Sequence, residues 1–266
     1  ITELQLKGIT SMEGIASFEN LERLTVRDYP DTNLKQLVPL KRLNYLSLED
    51  TVDSDSIIST DKDKIRVKDY SAISVMSGLK SLYLNSDIIK DIGFIKGLPA
   101  LEDLTLEDTA VISLASLSEM PALRSLTLLG NNKVQDFGPV GTATGLTSLS
   151  IDKMTSQPDP DLSSLSGLVK LDIKGFMSIS SVRGLSGLKE LSIHNCNVDQ
   201  ADALSSLTGV ERLTFYSVWN SQGNLRSLDF LKGMTGLKYA DFTGNLDGTG
   251  WSGYNYLVEV YGDVSS

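Results

Sequence analysis

One cysteine and one histidine occur in 266 residues, and these two scarcities set aside much of enzyme chemistry. A lone Cys196 builds no internal disulfide framework. His194 has no second histidine beside it and no spacing that implies a triad, so it reads as non-catalytic. Basic residues are outnumbered, 24 Lys and Arg against 34 Asp and Glu, for a formal charge of -10. That balance argues against a general nucleic-acid binder, whose affinity comes from neutralising phosphates. It favours a basic partner, although acidity mostly confers solubility. No apolar run approaches the roughly 18 residues of a membrane span, so no membrane insertion is expected. No Asn is followed two places on by Ser or Thr, which leaves no N-glycosylation acceptor. No secretory leader is visible. The chain opens at Ile1 already in register with a repeat and without a polar cap, so the array is expected to begin upstream or to have lost a leader. Together these absences fit a bacterial or cytosolic protein better than a eukaryotic extracellular receptor.

What is abundant is a phrase, Leu-x-x-Leu-x-Leu. Its best copies are Leu79, Leu82, Leu84; Leu101, Leu104, Leu106; Leu123, Leu126, Leu128; Leu146, Leu149, Ile151; and Leu168, Leu171, Ile173. Looser copies keep the spacing at Ile1, Leu21, Leu43, Leu188, Val210 and Leu237, making eleven, most of them 20 to 23 residues apart. A fixed period in this range marks a solenoid, and a repeat array needs no second core.

Counting each copy from its first apolar residue, positions 4 and 6 alternate with polar positions 3, 5 and 7, the period of a strand with one buried face. Strands repeated every 22 or so residues must stack in parallel. The second half of each repeat steps by three: Ile89, Ile92, Ile95, Leu98, then Val111, Leu114, Leu117, Met120. Steps of three match a 3₁₀ segment better than an α-helix. Pro99, Pro121 and Gly-Leu junctions such as Gly78-Leu79 supply turns. The expected fold is an α/β solenoid, a right-handed horseshoe with a parallel concave β-sheet and 3₁₀ or short helical convex segments.

This pattern resembles the leucine-rich repeats of the 22-residue class, found in bacterial internalin-like surface proteins and in SDS22-like phosphatase regulators. Leu79 to Gly130 carries the resemblance best. An array of about eleven repeats over 1–246 is expected, with 247–266, where Tyr256, Val258 and Val260 alternate, as a C-terminal cap or the start of a following segment. The family usually places Asn at position 9, where its amide satisfies backbone groups. Here that position holds Ile9, Tyr29, Thr51, Asp87, Thr109, Asn131, Met154, Phe176, Cys196, Val218 and Asn245. A continuous Asn ladder is excluded; water or backbone contacts are expected to replace it, with Cys196 as a structural thiol.

The period breaks twice. The step from Leu43 to Leu79 is 36 residues, which places an insertion at about 52–66; that from Val210 to Leu237 is 27, with additional residues at 219–224. Both leave just after a strand, on one flank, where insertions often border a binding surface. Asp53, Asp55, Asp61 and Asp63 lack the Gly and terminal Glu of an EF-hand loop, so no metal is assigned. Gly244 to Gly248 lacks the lysine of a phosphate loop. No catalytic residue and no cofactor are assigned.

Functional candidates are therefore the side chains between the beats. Position 5 is mostly small or polar: Thr25, Ser47, Thr105, Thr127, Ser150, Ser192, Thr214. Large residues interrupt this surface at Tyr45, Tyr83 and Leu129, beside Glu49, Asp103 and Glu107. They do so again at His194, Tyr216 and Tyr239, beside Arg212 and Lys174, with Trp219 in the second insertion. Exposed aromatics ringed by charge are a common composition of protein-recognition sites. The expectation is a non-catalytic protein-binding module of a bacterial surface or secreted protein, gripping its partner by the concave face and flanking loops. The alternative is a cytoplasmic regulatory scaffold resembling the SDS22 class.

Overall fold

A computed structural model describes residues 1–9, 11–29, 34–50, 69–153, 156–220, 223–224 and 228–244. The 52–66 insertion and the expected cap at 247–266 lie outside the described residues. The chain forms two compact units, Ile1–Gly145 and Leu146–Ser266.

The first unit contains six strands: β1 (Glu3–Lys7), β2 (Arg23–Arg27), β3 (Tyr45–Glu49), β4 (Ser81–Asn85), β5 (Asp103–Glu107) and β6 (Ser125–Leu129). They pair in parallel and in chain order. The second contains β7 (Ser148–Asp152), β8 (Lys170–Lys174), β9 (Glu190–His194) and β10 (Arg212–Tyr216). A two-residue antiparallel hairpin, β11 (Trp219–Asn220) with β12 (Gly223–Asn224), precedes β13 (Tyr239–Gly244). Strand β13 pairs in parallel with β10. Each copy of the phrase thus delivers one strand beginning at position 3, and equivalent positions meet across the sheet: Leu82 opposite Leu104, Leu84 opposite Leu106.

Register follows from burial. Leu79, Leu82, Leu84, Leu101, Leu104 and Leu106 are at most 1% exposed, so slipping a strand by one residue would turn its leucines to water. Between strands the chain runs through 3₁₀ segments such as Ser71–Val75, Gly93–Gly97, Ala115–Glu119 and Ala201–Ser206. Among the described residues no α-helix occurs. With three residues per turn, apolar residues spaced by three stack on one side, and Ile89, Ile92, Ile95 and Leu98 are all buried. A recurring side-chain turn starts several of these segments: Asp69 Oδ1 accepts from Ser71 N, Asp91 Oδ1 from Gly93 N, and Asp136 Oδ1 from Gly138 N. Such i to i+2 bonds offer the backbone a turn in place of a ladder.

The corner after each strand has its own requirement. At position 8 the backbone enters the left-handed region at Gly8, Asp28, Asp108, Gly130, Gly175, Asn195 and Ser217. Glycine accepts this conformation without strain, and Asp and Asn tolerate it best among the others. At Gly130 a Cβ would also meet the Asp108 carboxylate at 2.0 Å, and at Gly175 the Lys153 carbonyl at 2.2 Å.

Position 9 follows the corner, and Asn131 shows the family contact there, while at Cys196 the expectation of water or backbone replacement is corrected, because a side chain takes the place of the Asn. Asn131 donates from Nδ2 to the Leu106 carbonyl at 2.7 Å, while its Oδ1 accepts from Thr109 N at 3.2 Å and from the Thr109 hydroxyl. Cys196 repeats the pattern with sulfur. Its Sγ accepts from Phe176 N at 3.3 Å and lies 3.8 Å from the Ile173 carbonyl and 3.1 Å from that of His194. A thiol carries one weak donor and a weak acceptor, enough to occupy both sides of the Asn position.

Candidate functional site

The outward faces of the strands carry the candidate residues in rows. In the first unit, position 7 lines up Glu49, Asn85, Glu107 and Leu129 across β3 to β6, and position 3 lines up Tyr45, Ser81, Asp103 and Ser125. Tyr83 lies in the middle row, opposite Ser47 and Thr105.

The first cluster is a network rather than a set of free side chains. Tyr83 donates its hydroxyl to Glu107 Oε2 at 2.6 Å. Burial and that bond push the Tyr83 hydroxyl pKa well above the ordinary phenol value, because both disfavour the phenolate. Glu49 accepts from Arg27 Nε at 2.7 Å and from the Ser47 hydroxyl at 3.1 Å. Arg23 lies over the Tyr45 ring, Cζ 3.9 Å from the centroid. Tyr45 and Tyr83 are consequently half-buried, where the sequence implied exposed rings. Asp103 is exposed, in the row of Tyr45. Arg23 and Arg27 were not among the candidates, and the signal for both was their register: each stands directly opposite Tyr45 or Glu49.

In the second unit, position 7 lines up Asp152, Lys174, His194 and Tyr216, and position 3 lines up Lys170, Glu190, Arg212 and Tyr239. His194 meets Tyr216, ring centroids 6.1 Å apart, and its Nε2 lies 3.5 Å from Asp172 Oδ1. Burial raises the Asp172 carboxyl pKa above its ordinary value, against the opposing pull of His194 and Lys170. Lys174 pairs with Asp152 at 2.7 Å. Arg212 lies over Tyr239, Cζ 4.2 Å from the centroid. Here the rings do face solvent: Tyr216 is 55% exposed and Tyr239 44%. The two pairs occupy opposite ends of the strands, about 13 Å apart at 3.3 Å per residue. Trp219 sits in the β11–β12 hairpin immediately after β10.

Sequence reasoning also missed Lys153, whose side chain is 0% exposed. Its Nζ donates to the Gln157 carbonyl at 2.5 Å and pairs with Asp159 at 3.2 Å, while Asp159 accepts from the Met177 and Ser178 amides. A charge buried this deeply is held by such partners, so the site is structural. Cys196 is buried, and burial pushes its thiol up to about 11, the opposite of the lowered value that a nucleophilic cysteine needs. Among the described residues no group of His, Cys, Asp and Glu could hold a metal ion, and no helix is long and apolar enough to cross a membrane.

No protein-family model and no curated protein matches the chain. Solved structures do. An internalin from Listeria monocytogenes aligns with a TM-score of 0.73 and 26% identity, over 91% of this chain and 66% of the internalin. A leucine-rich-repeat protein of Leptospira interrogans aligns with a TM-score of 0.62 and 19% identity, over 85% of this chain and 62% of that protein. The leucine-rich-repeat ectodomain of an Arabidopsis thaliana membrane receptor kinase, solved in complex with Casparian strip integrity factor 2, aligns with a TM-score of 0.60 and 15% identity, over 89% of this chain and 28% of the ectodomain. The chain therefore spans less than two thirds of the Leptospira protein and about two thirds of the internalin. The expected fold class holds: parallel strands, 3₁₀ connections and a repeat near 22 residues make this chain a leucine-rich-repeat solenoid similar to the internalins, a protein-protein interaction architecture.

Proposed function

We propose that the chain is a non-catalytic module of a bacterial surface or secreted protein, capturing a protein partner on the outward face of its sheet and on the flank that carries Trp219. The observation that carries this reading is the pair of exposed tyrosines in the second unit, each backed by a side chain on the neighbouring strand: Tyr216 by His194 and Tyr239 by Arg212. Tyr and Arg dominate binding energy at protein interfaces, and side chains fixed on paired strands lose little further freedom on docking. The half-buried side chains of Tyr45, Glu49, Tyr83, Glu107 and Leu129, with exposed Asp103, offer a second contact area of mixed polarity. Similarity to a Listeria internalin supports the surface assignment.

The test compares partner capture by the wild-type domain with capture by Tyr216→Ala/Tyr239→Ala and Tyr45→Ala/Tyr83→Ala variants whose circular dichroism matches wild type. Losing two interface tyrosines at about 1–2 kcal/mol each should weaken binding by tenfold or more. Equal capture by all three proteins would end the reading. Fractionation of the producing cells checks location, and recovery of the full-length protein only from the cytosol would refute the surface assignment.

A further inference from the structure

Six arginines fall among the described residues, and four of them have acceptors. Arg27 is paired with Glu49, Arg183 with Asp202 and Arg42 with the Asn20 side-chain oxygen, while Arg124 donates to the Pro121 and Leu123 carbonyls. Arg23 and Arg212 differ from these. Each is exposed, and among the described residues neither has a carboxylate or other hydrogen-bond acceptor. Each instead sets its guanidinium over the ring of a tyrosine directly opposite it on the next strand, Arg23 over Tyr45 and Arg212 over Tyr239, with Cζ 3.9 and 4.2 Å from the centroids. Both pairs use position 3 of their repeats. One structural solution thus occurs once in each unit.

The physical content of this arrangement is specific. A guanidinium set over a ring spends its charge on the π face and gives no N–H to an oxygen acceptor, which leaves donors of its fork open. The ring holds the plane still and removes water from one side, so a planar two-oxygen acceptor meets a fork that has already lost most of its rotamer freedom. In a chain of formal charge -10, an unfilled cation on the sheet is itself informative: Glu190, directly opposite Arg212, pairs with Lys170, and Glu3, directly opposite Arg23, accepts from Gln5 Nε2. Net charge acts through a field that salt screens within about 8 Å. A carboxylate docked on the fork feels the guanidinium first.

We infer that the Arg23–Tyr45 and Arg212–Tyr239 plates are receptors for acidic side chains, Asp or Glu, of the protein partner. The assignment rests on the outward face being the binding surface and names the chemistry that this face selects. Side-chain carboxylates are the source, rather than a chain terminus, because a partner has one terminus and the surface offers two equivalent plates.

The test is titration of the ¹⁵N-labelled protein, following arginine Nε–Hε resonances assigned by their loss in Arg23→Lys and Arg212→Lys variants. The probe is N-acetyl-glutamate N-methylamide, which carries only a side-chain carboxylate. The Arg23 and Arg212 resonances should shift along a binding curve with a dissociation constant on the order of 100 mM, as one exposed charge-assisted contact supports. Those of Arg27 and Arg183, whose forks are occupied, should not follow. Tyr45→Leu and Tyr239→Leu, checked for retained fold, should each weaken the probe several-fold at their own arginine. Equal shifts with the glutamine analogue, a uniform drift of all arginines, or tighter binding of N-acetyl-alanine or inorganic phosphate would each overturn the assignment. Such a failure, alongside tyrosine-dependent partner capture, leaves the binding face standing and refutes only its carboxylate specificity; tyrosine-independent capture removes the face itself.

Discussion

Cys196 shows how a single residue can keep a structural role while changing its chemistry. Its sulfur accepts from the Phe176 amide, and the thiol faces the Ile173 carbonyl, the contacts that Asn131 makes to Thr109 and Leu106. Cys196→Ala should therefore cost about 1–3 kcal/mol by orphaning a buried amide, while Cys196→Asn should retain stability; chemical denaturation reads both. A thiol held up to about 11 stays protonated at pH 8, so Ellman's reagent should react only after unfolding. The sign of the pH effect follows. A folded pKa above the ordinary thiol value means that the unfolded chain ionises first, so this contribution is complete below about pH 8.5 and is lost as pH rises toward 11. That Cys196 is buried at position 9 was legible from its place in the repeat. That it acts as an amide substitute was not, because the relevant partners lie 20 and 23 residues earlier in the chain.

At the level of the element, strands and 3₁₀ segments were readable because each is dictated by a local period, two for the strands and three for the connections. Their mutual spacing has a different origin. Gly97 of Gly93–Gly97 approaches Ser74 of the preceding segment so closely that a Cβ would lie 2.1 Å from its carbonyl oxygen, and Gly233 approaches Ser205 with 2.2 Å. These are backbone atoms, which cannot swing aside as a side chain would. Gly97→Ala and Gly233→Ala should each destabilise by about 1–3 kcal/mol, as overpacking does, despite alanine's better helical propensity. Thermal melts check this, and unchanged midpoints would show that neighbouring segments can separate freely. Neither glycine stands out in the sequence among 22; only the packing distinguishes them.

For the whole molecule, charge is the distributed property with a measurable consequence. A formal charge of -10 repels itself in the compact state, while exposed pairs such as Lys80–Glu102 and Lys238–Glu211 contribute little each. Screening should therefore stabilise on balance, and the melting temperature should rise between about 20 mM and 300 mM NaCl, where the Debye length falls several-fold. A fall would show that the surface ion pairs dominate.

The candidate site divides along the same line. The sequence by itself determined the repeat, the strand positions, the buried leucines and which side chains face outward, because these follow from hydrophobic periodicity acting within a few residues. Tertiary structure alone decided how those outward side chains are used. Tyr83 is tied to Glu107, Tyr45 lies beneath Arg23, and Tyr216 and Tyr239 remain open to solvent. Such contacts join residues 22 or more apart across adjacent strands, and a side chain's neighbours there are set by register and spacing between strands, which no local pattern encodes.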